Sequence, residues 1–355
     1  MNAVAPFDHH TLGQRILFGS GRASHHLRLA VDEAGAASPM VIAGSSDRAI
    51  ADAVLADLPY AVRFDEVRPH VPSELAERAR VVARKAGADL LVSIGGGSTT
   101  GLAKAVALTT GLPIVAVPTT YAGSEATNVW GLTEAARKTT GQDNRVVPSV
   151  VVYDAELTRT LPRELSIASA CNALAHCIDS LWAPRADPIT TALATEAMTA
   201  LVRALPDLAE HPDSLAGRER ALYGAYLAAV VFAGAGSGLH HKICHVLGGR
   251  FDLPHAQTHA VVLPYVLAFN ARCAPAAVSR IADALNTSDP VSGLRDLLES
   301  VGAPHALQTL GMPQEGVTES TDLILPLVPE SNPRSVTRHD LAELLDSAWS
   351  GKSPS

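Results

Sequence analysis

The sequence predicts an α/β N-terminal dinucleotide-binding domain followed by an all-α C-terminal domain. Three observations carry that expectation. Short β-branched runs alternate with Ala-rich helical patterns up to about residue 158, the strand signal fades from Thr160 onward, and an early strand runs into a Gly-Gly-Gly-Ser turn that opens a helix. The 355 residues suit two domains, 1–158 and 159–355, and a hydrophobic content of 47% allows each a sizeable core. Only 4% of residues are aromatic, so the cores are expected to be aliphatic.

Taken in order, Pro39 to Ala43, Asp89 to Ile94 and Ile114 to Val117 read as parallel strands buried on both faces, since a strand covered on both sides need not alternate. The strand ending at Ile94 leads into Gly95, Gly96, Gly97, Ser98, Thr99, Thr100 and Gly101, and then a helix expected to begin near Leu102. Glycines there let backbone approach a phosphate, and a helix N-terminus adds free N–H groups and partial positive charge. The next strand ends in a second hydroxyl-rich turn, Pro118 to Glu125. Ligands of open α/β sheets bind where such strand ends adjoin, so the two turns together predict a nucleotide site. Either alone would be ordinary turn chemistry, and the G-x-G-x-x-G spacing is absent. Beyond Thr160, long Ala/Leu-rich helices are expected to break at Pro184, Pro212, Pro254 and Pro264, and the tail from Gly351 to fray.

A net charge of -8 and the lack of a Lys/Arg run argue against a nucleic-acid partner. No stretch reaches the eighteen or so apolar residues of a membrane span, and Met1 to Gly13 lacks a secretory signal's features, so a cytoplasmic location without a membrane partner is expected. Cys171, Cys177, Cys244 and Cys273 have no CxxC spacing and read as reduced, buried packing residues.

Chemistry is expected from clustered histidines. His241 and His245 are four apart, as are Asn172 and His176, so each pair shares one helix face; His255 follows after nine intervening residues. Such a set suits acid/base work or metal binding. Against a metal stands Asn172, a weak neutral donor where an anionic ligand would be most useful; Asp179 could substitute, in a less favourable geometry.

The Gly-Gly-Gly-Ser turn, Pro118-Thr119-Thr120 with Gly123-Ser124-Glu125, the segment 172–176, and His241, His245 and His255 with Asp252-Leu253-Pro254 together resemble the iron-containing alcohol dehydrogenase family over nearly the whole chain. Asn172 in place of a ligating Asp, Gly101 in place of an Asp, and a shorter 120–123 loop resemble its maleylacetate reductase branch, as do 97–104, 137–141 and Asn332-Pro333-Arg334. The resemblance implies the dehydroquinate synthase-like fold, a cleft between the domains and a homodimer. It implies NADH- or NADPH-dependent reduction of the C=C bond of a small dicarboxylate in the breakdown of aromatic compounds, with no metal required. Gly95, Gly96, Gly97, Ser98 and Thr99 would hold the pyrophosphate, Thr119, Thr120 and Thr127 the nicotinamide side, and Lys138 the ribose. At the first strand's end Ser45 replaces the acid that favours NAD, with Arg48 near, so both cofactors are expected to serve. His245 would donate the proton or sit by the nicotinamide. His176, His241 and His255 would donate to substrate oxygens with pKa values raised by the anionic substrate, Asn172 would assist, and Arg334 and Arg338 are candidate carboxylate clamps. The alternatives are a metal-dependent alcohol dehydrogenase acting on a small alcohol or aldehyde, a zinc enzyme of the dehydroquinate synthase or glycerol dehydrogenase type, and a nucleotide-binding regulator without catalysis.

Overall fold

A computed structural model describes residues 6–56, 58–134 and 137–353, with Arg137 and Lys138 described by their backbone alone. The chain divides into two compact units, Thr11–Leu161 and Pro162–Ser355; the N-terminal segment ending at His10 belongs with the second, which a cut at residue 158 does not anticipate. His9 explains part of that: its Nδ1 lies 2.8 Å from Asp187, the residue that caps a helix of the second unit.

The first unit holds, among the described residues, a six-stranded parallel sheet in the order β1 (Arg15–Phe18), β8 (Val150–Tyr153), β5 (Ile114–Pro118), β4 (Leu90–Gly95), β2 (Pro39–Ile42), β3 (Val62–Phe64). The three expected strands are its centre. β4 pairs with β5 from Leu91↔Ile114 to Gly95↔Pro118, which brings the glycine turn level with the Pro118–Glu125 turn. Side chains of one strand alternate between two cores: Val41 and Ala43 face one, with Val92, Ile94 and Val115, while Met40 and Ile42 face the other, with Leu91 and Ile114. Burial on both faces is why these strands read as continuous apolar runs. Helices α1 (Ala23–Ala34) and α2 (Arg48–Leu55) cover the first face, and α3 (Ser73–Lys85) and α4 (Gly97–Thr110) the second. A hairpin of β6 (Val129–Glu134) and β7 (Arg137–Gln142) follows the second turn.

The second unit is helical: α5 (Arg163–Ser180), α6 (Pro188–Glu210), α7 (Leu215–Ala235), α8 (Leu239–Phe251), α9 (His255–Ala271), α10 (Pro275–Leu285), α11 (Pro290–Ser300), α12 (Gly316–Ile324) and α13 (Arg338–Ser350). From Ser166 to Ser180 every residue of α5 is buried, so it is a central helix with neighbours all round. Pro184 and Pro212 lie between helices and Pro254 precedes α9, as expected. Pro264 does not break the chain; it lies inside α9, as Pro206 lies inside α6, because tertiary packing offsets the lost hydrogen bond. Cys171, Cys177 and Cys244 are buried free thiols, whereas Cys273 is exposed just past the end of α9. No single described helix is long and apolar enough to cross a membrane.

Candidate active site

In the first unit the glycine turn is itself the start of a helix. α4 begins at Gly97, not near Leu102, with extended Gly96 as its cap, so Ser98 and Thr99 lie in its first turn. Gly95 has φ 150°, and a Cβ there would lie 2.5 Å from Thr99 Oγ1; a Cβ on Gly96 would lie 3.0 Å from Thr120 Cγ2. The backbone is therefore bare where a phosphate would approach, and Thr120 packs directly against it. Thr119 donates from Oγ1 to Asp47 at 3.1 Å.

Thr127 serves differently from expectation. Lys104, wholly buried on α4, bonds through Nζ to Ser124 O at 2.6 Å, Thr127 O at 2.8 Å, Thr127 Oγ1 at 3.0 Å and Val129 O at 2.9 Å. The Thr127 hydroxyl also donates to Ser124 O, so it is spent inside the protein as part of a clasp on the loop. Burial pushes Lys104 down to about 7, opposed by Glu125, whose own carboxyl is raised by burial and accepts from Tyr153 at 2.7 Å. Ser45 is exposed after β2, and Arg48 is paired with Asp65 at 3.1 Å. The Lys138 side chain lies outside the described residues.

In the second unit the predicted histidines meet. His176 on α5 stacks on His241 of α8 with ring centroids 5.0 Å apart, and both pack on Phe232 of α7 at 4.8 and 4.7 Å. His241 is 6.0 Å from His245, which is stacked 6.4 Å from His255. His176 and His241 are buried, while His245 and His255 are exposed at the edge of the cluster. Asn172 Oδ1, His176 Nδ1 and His241 Nε2 are buried without a protein partner. An unsatisfied buried polar atom costs about 1–3 kcal/mol, so three of them, two on the stacked rings and one a helical turn before His176, mark a place built for something else to bind.

Asp179 holds this arrangement. Its carboxylate accepts from Gly238 N at 2.7 Å, His240 N at 3.2 Å and His241 N at 3.4 Å, capping α8 from a distance, and from His241 Nδ1 at 2.7 Å. With its proton on Nδ1, neutral His241 presents a lone pair at Nε2, and donation from Nε2 to a substrate oxygen requires the imidazolium. Without a substrate's negative charge beside them, four buried imidazoles are held neutral. Burial first, and neighbouring imidazoles second, hold His176, His240, His241 and His259 well below 6.5.

The arginines are not in this cluster. The Arg334 guanidinium lies 4.1 Å over the Phe269 ring and bonds Asp340 at 2.7 Å. Phe269 is about four turns along α9 from His255, roughly 21 Å. Arg338 is exposed and paired with Asp322 at 2.8 Å.

Two histidines escaped the sequence reading. His259, fully buried, has its ring 4.5 Å from His255 and 4.9 Å from His241, and its Nδ1 is 2.8 Å from His240 Nε2. The i,i+4 spacing from His255 was the available signal; nothing in sequence points to Phe232. His240, Cys244 and His259 offer ligand atoms within 4.8 Å of one another. A nitrogen pair 2.8 Å apart is a hydrogen bond, however, since two imidazoles on one tetrahedral zinc at about 2.0–2.1 Å stand roughly 3.4 Å apart.

Comparison with known proteins places these features. Residues 13–155 match the model described as iron-containing alcohol dehydrogenase, and residues 166–349 match the C-terminal model of the Fe-containing alcohol dehydrogenase family. The chain belongs to the iron-containing alcohol dehydrogenase family. It is 45% identical to a maleylacetate reductase of Burkholderia cepacia over 96% of this chain and 97% of the relative. Among solved structures it is similar to an iron-containing alcohol dehydrogenase from Corynebacterium glutamicum (TM-score 0.97, 58% identity, 99% of each chain covered). A maleylacetate reductase from Agrobacterium tumefaciens has TM-score 0.94 and 38% identity, with 99% of this chain and 100% of the other covered.

The family's name implies an iron ion. The donors here are an amide carbonyl, Asn172 Oδ1, and neutral imidazoles, while the carboxylate of Asp179 is taken up by three backbone N–H groups and His241. A divalent cation would find no anionic ligand among them, and the set fits tightly held iron poorly.

Proposed function

We propose that this family member is a maleylacetate reductase, taking hydride from NADH or NADPH to the C=C bond of maleylacetate to give 3-oxoadipate. The observation that carries the reading is the buried, neutral Asn172 at the head of the imidazole cluster, in a chain similar over its full length to proteins named for that reaction. Hydride adds to the carbon β to the ketone, charge develops on the ketone oxygen as an enolate, and a proton then goes to the α carbon. Gly95, Gly96, Gly97, Ser98 and Thr99 cradle the cofactor pyrophosphate, with Thr119 and Thr120 beside it.

His176, His241 and Asn172 surround the developing enolate, and His245 and His255 stand toward the open edge, His245 as proton donor. Asp179 stabilises the imidazolium that His241 becomes when the anionic substrate enters, as a buried carboxylate does for a catalytic histidine. No metal is needed for turnover. The enzyme works as a cytoplasmic homodimer in aromatic-compound degradation. The test is NADH oxidation with maleylacetate, with and without a chelator, beside His245→Ala and metal analysis of the purified protein. Chelator-resistant turnover lost in His245→Ala is expected. Chelator-sensitive oxidation of a small alcohol, with stoichiometric iron or zinc, would replace this reading with that of a metal-dependent alcohol dehydrogenase.

A further inference from the structure

His259 lies in the second turn of α9, fully buried, with its ring 4.5 Å from that of the exposed His255, 4.9 Å from His241 and 6.4 Å from His176. Its Nδ1 stands 2.8 Å from His240 Nε2. Its other nitrogen, Nε2, is buried without a partner among the described residues, as are His240 Nδ1 and the atoms already named on Asn172, His176 and His241. One proton lies between the two rings, and its place decides what His259 can offer. Were it on His259 Nδ1, His240 would carry its own proton on Nδ1, a buried N–H with no acceptor, and His259 would show only a lone pair at Nε2. With the proton on His240 Nε2, the atom left unfilled at His240 is a lone pair, and an orphaned buried N–H is rarer than an orphaned acceptor. That N–H also has a weak acceptor, Cys244 Sγ, 3.7 Å away. Assigned from this network, the neutral His259 ring carries its hydrogen on Nε2, the nitrogen not engaged with His240.

We propose that His259 is a further catalytic residue, donating from Nε2 to the oxygen on which enolate charge develops, and that His240 is the positioning residue that fixes its tautomer. The proposal rests on the maleylacetate reductase reading and deepens it at the same site. His241 has its Nδ1 occupied by Asp179 and donates from Nε2 only as imidazolium, whereas His259 donates as the neutral ring and needs no proton from solvent. A donor held in place before the charge forms stabilises the transition state without reorganisation. His259 keeps its proton throughout: hydride comes from the nicotinamide, and the proton on the α carbon comes from His245.

The test measures kcat and KM for maleylacetate and NADH in the unaltered enzyme, His259→Leu, His259→Gln, His240→Leu and His240→Gln, with folding followed by circular dichroism. Nitrogen NMR of histidine-labelled protein reads the tautomers directly. His259→Leu is expected to lower kcat about a hundredfold, the scale of losing one oxyanion donor, with KM for NADH unchanged. His259→Gln, whose amide can donate from near the Nε2 position, should recover part of that loss. His240→Gln, still a donor toward His259, should stay within a few-fold of the parent. His240→Leu should lose kcat and leave His259 a mixture of tautomers. A His259 proton on Nδ1 in the unaltered protein would overturn the proposal, and that spectrum decides even where His259→Leu does not fold. So would a folded His259→Leu that reduces maleylacetate with kcat within threefold of the parent, and the reductase reading would then stand without His259. If the unaltered protein leaves maleylacetate unreduced, the reading falls and this proposal with it.

Discussion

At the scale of single residues, Asp179 illustrates how a carboxylate on one helix fixes a ring on another. Its two oxygens take three backbone N–H groups and the His241 ring, so the ring's tautomer and angle follow from a carboxylate on another helix. Asp179→Asn keeps an acceptor for the α8 N-terminus but presents an NH₂ to one side. We expect the fold to survive and kcat to fall about a hundredfold, the scale of losing the partner that orients a working histidine, with KM for NADH unchanged. Steady-state kinetics beside circular dichroism checks this, and a kcat within threefold of the parent would remove Asp179 from the mechanism. Gly95 makes the complementary point for the cofactor turn. An alanine there meets both an unfavourable φ and Thr99 Oγ1 at 2.5 Å. Gly95→Ala should cost about 1–3 kcal/mol in thermal or denaturant unfolding and weaken NADH binding in titration calorimetry.

At the scale of elements, α4 carries two tasks with one helix. Its N-terminus carries the bare glycine turn proposed to hold a phosphate, and two turns later Lys104 gathers the carbonyls of residues 124, 127 and 129 beneath the second turn. Lys104→Met would leave those buried acceptors unpartnered, and we expect a loss of about 2–4 kcal/mol in denaturant unfolding. Lys104→Arg, larger but still a donor, should recover part of it. A fully stable methionine variant would show that the clasp contributes nothing. The central helix α5 works by a different rule: small residues let α6, α7 and α9 close around it, and its one polar stripe, Asn172, His176 and Asp179, ends up at the cluster.

At the scale of the whole molecule, four buried imidazoles make stability depend on pH. His176, His240, His241 and His259 are held neutral in the folded chain, chiefly by burial. The unfolded chain therefore binds more protons below the ordinary value of 6.5, so their stabilising effect is whole above that pH and is lost as pH falls toward the folded-state values. Each can remove up to about 1.4 kcal/mol per pH unit. The expected outcome in calorimetry is a Tm nearly flat from pH 8 to 7 that drops steeply between 6.5 and 5, before most carboxylates protonate. A Tm unchanged across that window would mean these rings are solvated or already charged.

The central strands, the glycine turn and the meeting of His176, His241, His245 and His255 were legible in sequence, because apolar runs, glycine at a strand end and i,i+4 spacing are local consequences of backbone geometry. The same local reading mistook the start of α4, the break at Pro264 and the exposure of Cys273, where packing outweighs propensity. What each polar atom touches was left to tertiary structure. It gave Thr127 to Lys104, Arg334 to Phe269 and Asp340, and Asp179 to the end of α8, and it set Asp47 against Gly95 and Thr119. Hydrogen bonds and charges act over a few ångströms between residues tens of positions apart, and only the folded chain fixes those distances.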